Sequence, residues 1–280
     1  MGDVMKIMTL NTNSFRGEKH SQIITWLVEK ILQERPDMVA MQKVSQTFHV
    51  KKIPEEMRRG LYPDSVGLDI REDNYAAHIA HRLHEAGVQC SWIWRPVNAG
   101  SGDCNEGNAI LSLGGKIRSV DQFPISRISD YRNRNTHAAL GVQVEGKDDW
   151  FYSLCMNPFD VAGDGFLEQL RRLNGCIASK RLCAAVWLAG AFSTADALPG
   201  RSYEHIIPRG WKDCCEITKD KVSDWTPYRN MQKNTSRYDL RSNYLWCSQK
   251  RNVVSYNAVR KSPENAECAD YTGILVEVKE

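Results

Sequence analysis

The 280-residue sequence predicts an α/β fold of stacked β-sheets with helices on their outer faces. Three observations predict it. Strand-like apolar runs outnumber helical patterns. Two long segments instead carry apolar residues at helical spacing. No internal repeat, low-complexity tract or linker breaks the chain, so one domain over residues 1–280 is expected.

In order, "KIMTLNTNS" reads as a strand ending in polar residues. "KHSQIITWLVEKILQERP" follows, with Ile23, Ile24, Trp26, Leu27, Ile31 and Leu32 on one helical stripe, stopped by Pro36. "DMVAMQKV" is a short buried strand. Residues 45–71 are polar and read as a long loop, a kind of segment that often carries function. "EDNYAAHIAHRLHEAG" is a helix that Asn74 can cap and Gly87 closes. "VQCSWIWRPV" is a strand, and the Gly-rich "NAGSGDCNEGNA" leads into the strand "AILSL". "THAALGVQVE" and "DWFYSLCMN" flank a tight connection at Gly146 and Lys147, a hairpin signal. "GFLEQLRRLNGCIASKRLC" reads as the second long helix and "AAVWLAGAF" as the next strand. "SNYLWCSQ", "NVVSYNAV" and "GILVEVKE" complete the strands.

Composition narrows the function. A net charge of +3 is too small to argue for nucleic acid or a membrane surface. The nine cysteines form no CxxC pair, which argues against a zinc site and for reduced thiols in a cytoplasmic protein. The N-terminus has no apolar core of signal-peptide length, and Lys6 stands where a myristoylation signal needs Ser or Thr. No run approaches the ~18 apolar residues of a membrane span.

The motif order "LNTNS", "PDMVAMQKV", "EGNAILS", "FYSLCMNPFD", "VWLAGAFSTADA", "RSNYLWCS" and "CADYTGILVEV" resembles the endonuclease/exonuclease/phosphatase, or DNase I-like, superfamily. Within it, the bacterial sugar-phosphate phosphatases are most similar. The resemblance implies a four-layer α/β sandwich, two packed and mostly antiparallel sheets flanked by helices. It also implies magnesium-dependent hydrolysis of phosphate esters. Such chemistry needs hard oxygen ligands for the metal, a base for water and donors for the phosphoryl oxygens.

The chain departs from that pattern at nearly every chemical position. Asn11 matches the family asparagine. Lys43 stands where the family has the metal-binding Glu, and Cys155 where it has His. Ala191 and Ser193 replace the Asp and Asn of the family's GDFN. Asn243 replaces an Asp, and the closing SDH becomes "ADY", which keeps Asp270 but puts Tyr271 in place of the base. Glu106 lies in a loop that the resemblance places at the pocket. A lysine beside a divalent ion at ~4 Å costs on the order of several kcal/mol even at an effective dielectric of ~20. No metal and no cofactor are therefore expected. The losses concentrate at pocket positions while the helix and strand patterns stay intact, as in a pocket repurposed by nature or by design.

Three chemistries suit what remains. Cys155 and His137 are symmetric about position 146, so a hairpin centred there makes them a facing thiol–imidazole pair able to act as an ester hydrolase. Lys43, if its pKa is lowered in an apolar pocket, suits Schiff-base formation, with Tyr271, Tyr244 or Asn243 as hydrogen-bond partners. Alternatively the site binds without turnover, as a pseudoenzyme: Lys43, Asn11, Asn243 and Ser193 would hold an anion. The leading expectation is a small-molecule pocket with Lys43 or Cys155 as its reactive group, and neither membrane nor nucleic acid as partner. His78, His81 and His84 recur every third residue and drift around the helix, which suits a solvated face. Arg132 and Arg134 read as solvated loop charge, and Cys214, Cys215, Trp92 and Trp94 as packing residues.

Overall fold

Alternation of apolar and polar residues builds two sheets, and apolar stripes dock helices on their outer faces. The structure, a computed structural model, describes residues 4–12, 19–63, 68–100, 103–157, 163–192, 202–218, 220–221, 243–260 and 272–279. Its strands are β1 (Val4–Asn11), β2 (Met38–Thr47), β3 (Ser91–Asn98), β4 (Cys104–Ser112), β5 (Ile117–Pro124), β6 (Ala138–Val144), β7 (Trp150–Cys155), β8 (Val186–Ala191), β9 (Lys212–Asp213), β10 (Asp220–Lys221), β11 (Asn243–Cys247), β12 (Asn252–Arg260) and β13 (Thr272–Lys279). The helices are α1 (Lys19–Glu34), α2 (Tyr75–Glu85), α3 (Phe166–Cys176), α4 (Ala178–Cys183), α5 (Ser202–Ile206) and α6 (Cys214–Ile217). Among the described residues, one sheet has seven strands in the order β10-β12-β13-β1-β2-β4-β3. The other has six, in the order β5-β6-β7-β8-β11-β9. Most neighbours run antiparallel; β1–β2, β7–β8 and β10–β12 are parallel.

Three apolar layers hold the sandwich together. Ile7, Ile93, Ile110 and Val276 of the first sheet meet Val142, Phe151, Trp187 and Leu245 of the second between the sheets. Met8, Leu10, Val39, Met41, Trp92 and Trp94 cover the first sheet's outer face against Ile23, Leu27 and Ile31 of α1 and Ile79 and Leu83 of α2. Tyr152, Leu188, Tyr244 and Trp246 do the same for the second sheet against Phe166, Leu170 and Leu173 of α3. The expected four-layer sandwich of mostly antiparallel sheets is what these layers form. Each fully buried Leu, Ile or Phe contributes about 1.5–3 kcal/mol, so the layered core supplies the main driving force.

Local signals account for most elements. Asn74 caps α2, its Oδ1 accepting from Ala76 N at 3.0 Å and Ala77 N at 3.2 Å. Trp92 and Trp94 sit on one face of β3 and are fully buried, as their period-two spacing requires. Cys214 and Cys215 are buried packing residues, and every described cysteine is a free thiol.

Three expectations change. The long helix is two helices, broken at Ile177, whose φ of –102° and ψ of 6° leave the α-helical range. β5 joins the second sheet as an edge strand; it is polar and mostly half-exposed, so it carries little apolar signal. β2 runs past Val44 to Thr47, into what read as loop, because it contains a bulge. Met41 pairs with Ala109 and Val44 with Gly107, so Gln42 and Lys43 together face Asn108. Lys43 adopts φ 54°, a left-handed conformation.

Candidate functional site

Sheet pairing gathers the site residues at one edge of the sandwich. Asn11, the last residue of β1, pairs with Gln42. Ala191 ends β8, with Cys155 of β7 beside it on one side and Asn243 of β11 on the other. Extrapolating each strand's alternation puts all four on the faces between the sheets, since Ile7, Phe151, Trp187 and Leu245 at even spacings from them lie in that layer. The sequence thus places polar groups where each apolar strand leaves the core.

The bulge sets Lys43. Strand bulges recur beside active sites, where they re-aim a side chain. Left-handed backbone at a residue other than Gly costs about 1–2 kcal/mol and persists only where neighbours enforce it. Here they do. Thr12 Oγ1 donates to the carbonyls of both Gln42 (2.9 Å) and Lys43 (2.8 Å), and Thr12 N donates to Gln42 O at 2.9 Å. The Gln42 side chain is fully buried and bridges the sheets: Nε2 donates to Ser153 Oγ at 3.0 Å and Ala189 O at 3.3 Å, while Oε1 accepts from Thr9 Oγ1 at 3.2 Å. Gly190 allows this approach: a Cβ there would fall 3.3 Å from Gln42 Cγ, and 1.8 Å from Leu154 O on the neighbouring strand.

Lys43, Val97, Asn98, Glu106, Gly107, Asn108, His137 and Cys155 line one cavity of about 10 Å3, room for about one water-sized group. Lys43, Cys155, His137 and Glu106 are therefore brought together at one cavity. The hairpin register differs from the expected one. Leu140 pairs with Ser153, Gly141 with Tyr152 and Val142 with Phe151, which centres the pairing between residues 146 and 147. Extended, that register sets Cys155 opposite Ala138 rather than His137. The turn itself closes from Lys147 N to Val144 O, and the extra residues Asp148 and Asp149 on the β7 side shift the pairing. His137 reaches the cavity from the segment before β6 instead.

Burial sets the charge states. Desolvation drives the Cys155 thiol up to about 11; the Lys43 charge opposes this and Glu106 adds to it. Desolvation likewise lowers His137 to about 4, helped by Lys43 and opposed by its bond to Asn157. Both groups are uncharged at neutral pH. His137 Nε2 lies 2.7 Å from Asn157 Oδ1, so the imidazole is held by an amide. Asn243 is buried and Asn11 half-buried. Ser193, Asp270 and Tyr271 lie outside the described residues.

Sequence reasoning missed Thr12, Gln42, Ser153 and Asn157. The first two stand next to Asn11 and Lys43, and Asn157 lies two residues after Cys155 in the same motif. Adjacency to a substituted motif position was the available signal. The helix histidines form no site. His84 Nε2 lies 3.1 Å from Arg59 O, and His81 pairs with Glu85.

Among solved structures, an endonuclease/exonuclease/phosphatase family protein from Leptotrichia buccalis C-1013-b superposes with a TM-score of 0.81, covering 99% of this chain and 100% of its own at 22% identity. The chain has the endonuclease/exonuclease/phosphatase fold. A Bacteroides thetaiotaomicron endonuclease/exonuclease/phosphatase family protein matches with a TM-score of 0.66 at 14% identity, over 99% of this chain and 98% of its own. The mannosyl-6-phosphatase of Bacteroides thetaiotaomicron VPI-5482 matches with a TM-score of 0.64 at 14% identity, over 99% and 100%. No protein-family model matches the chain, and no curated protein does.

The magnesium ion that the endonuclease/exonuclease/phosphatase fold implies does not suit the described residues of the site. Magnesium takes carboxylate oxygens and water in near-octahedral geometry. Among the described residues that line the cavity, Glu106 carries the one carboxylate, and the Lys43 ammonium lines the same cavity. Among the described residues, no three His, Cys, Asp or Glu side chains come together to hold a metal.

Proposed function

We propose that this chain binds a small phosphate ester at the strand-end edge, with Lys43 supplying the positive charge, and does not hydrolyse it through a metal. One observation carries the reading: the bulge presents Lys43 to a cavity that it shares with Glu106, His137 and Cys155, the last two of which burial keeps uncharged. A cation with amide donors around it suits a phosphoryl group. The mannosyl-6-phosphatase of the same fold supports a phosphorylated sugar as the ligand class. Cysteine chemistry is less well supported, because a thiol pushed up to about 11 supplies little thiolate at neutral pH. Nothing in the geometry favours an imine at Lys43 over an ion pair with an anion.

Calorimetry and thermal-shift titration with mannose 6-phosphate, with and without magnesium, test this. The expected result is binding that does not depend on magnesium, releases no inorganic phosphate and falls at least ~10-fold in Lys43→Met. Magnesium-dependent phosphate release by the purified chain overturns it.

A further inference from the structure

We infer that His137 is locked as the tautomer protonated on Nε2, so that its Nδ1 is a hydrogen-bond acceptor for a hydroxyl of the bound ligand. The assignment follows from Asn157. That amide is buried and packed among two backbone carbonyl oxygens and one imidazole nitrogen. Its nitrogen Nδ2 lies 3.2 Å from Asn135 O and 3.3 Å from Asp164 O. Both are backbone carbonyls, which can only accept, so the atom facing them must be the NH2 group. Turning the amide over would set Oδ1 against two carbonyl oxygens. The Asn157 backbone is also fixed, its N donating to Gln169 Oε1 at 2.9 Å, while Gln169 Nε2 donates to Asp164 O at 3.3 Å.

With the amide fixed, Oδ1 faces His137 and can only accept. Nε2, 2.7 Å away, must therefore carry a proton and donate it. A neutral imidazole protonated on Nε2 has an unprotonated Nδ1. Burial and the Lys43 charge keep the ring neutral, with the His137 pKa lowered to about 4. The backbone of His137 is held as well: its N donates to Ser126 Oγ at 2.8 Å, and its carbonyl accepts from Ile125 N and Ser126 N. The ring is therefore a placed acceptor.

The cavity's size says what it can accept from. About 10 Å3 is open to the centre of a water-sized group, so a ligand oxygen fits beside Lys43, Asn108 and His137. Lys43 and Asn108 line this space together with His137, so an oxygen there could accept from one of them while donating to the imidazole. A hydroxyl does both; a phosphate dianion, which has no proton to give, does not. The inference rests on the phosphate-ester reading above and deepens it: the ligand carries a hydroxyl close to its anionic group.

Two measurements test it. Long-range nitrogen–proton NMR of the full chain, without ligand, should show His137 Nδ1 as an unprotonated ring nitrogen and Nε2 as a protonated one. Protonated Nδ1 at neutral pH refutes the inference whatever the chain binds. Calorimetry then compares glycerol 3-phosphate with propyl phosphate, which lacks the hydroxyls. The wild-type chain should favour glycerol 3-phosphate by ~10-fold or more, and His137→Phe should bring the ratio of the two affinities close to one. An unchanged ratio in His137→Phe overturns the hydroxyl contact. If the wild-type chain binds neither compound, the phosphate reading falls and takes the contact with it, while the tautomer is judged by the NMR result alone. His137→Gln, which keeps a polar side chain, guards against a variant that fails to fold.

Discussion

Gln42 Nε2 donates to Ser153 Oγ at 3.0 Å, and this bond ties the two sheets together one residue from Lys43. Gln42 also meets Ala189 O and Thr9 Oγ1, so its removal strips partners from groups that water cannot reach. Leaving a buried polar group unsatisfied costs about 1–3 kcal/mol. Gln42→Leu should therefore destabilise the fold by about 2 kcal/mol and weaken phosphate-ester binding by displacing the bulge. Ser153→Ala should cost about 1 kcal/mol. Urea denaturation checks both, and unchanged midpoints would show that the bridge does not hold the sheets.

Lys43 carries backbone strain for the sake of its position. Gly adopts φ 54° without a Cβ penalty. Lys43→Gly should raise stability by about 1 kcal/mol and abolish anion binding, a trade of function for stability. A variant less stable than wild type would mean that contacts of the lysine side chain outweigh the strain.

His137 should make the protein acid-sensitive. Its pKa is about 4 when folded against an ordinary 6.5. The unfolded chain therefore takes up a proton below pH ~6.5 that the folded chain refuses until about pH 4. Stability from this group is complete above ~6.5 and falls as the pH drops towards 4, by at most about 3 kcal/mol. Denaturation midpoints measured from pH 7 to 4 should fall more steeply for wild type than for His137→Gln. Parallel curves would place the acid sensitivity elsewhere.

Cys155 should react slowly. With its thiol pushed up to about 11, alkylation by iodoacetamide at pH 7.5 should lag well behind that of the exposed Cys176 and Cys183. Mass spectrometry of the labelled peptides reports the order. Fast, pH-dependent labelling of Cys155 would restore the thiolate reading.

Gly190→Ala should be among the most damaging single changes. Its φ of 151° and a Cβ 1.8 Å from Leu154 O leave no small adjustment that relieves the clash. A loss above ~4 kcal/mol, or failure to fold, is expected. Normal expression and melting would show that β7 and β8 can separate there.

Much of the fold was legible because its signals are local. Ile23, Leu27 and Ile31 mark a helix by spacing alone, and Trp92 and Trp94 a strand face. The break at Ile177 was not legible, since Leu173, Gly175 and Lys180 read as a continuous helix and the interruption is set by packing. The polar edge strand β5 escaped for the opposite reason: Arg118, Asp121 and Gln122 leave it little apolar content. At the site, the strand-end residues Asn11, Lys43, Cys155 and Asn243 were legible as a group through motif order. The facing of Cys155 and His137 was not, because one residue more or less in a turn decides register. The Gln42 bridge and the Asn157 anchor depend on contacts across more than a hundred residues and within a loop, respectively, and no periodicity reports either.

The bulge also divides β2 into two phases. Before it, Met38 and Ala40 point between the sheets while Val39 and Met41 point toward the helices. After it the parity inverts: Val44 joins the helix-side core and Gln46 bonds Asp69 O and Asn74 on that same side. Deleting residue 43 would therefore remove the bulge itself: Gln42 alone would oppose Asn108, and Val44 to Thr47 would keep the faces and partners they have now on a regular strand. Residue 43 is thus surplus to the pairing of β2 with β4, so the chain is free to vary its chemistry while the strands on either side keep their register.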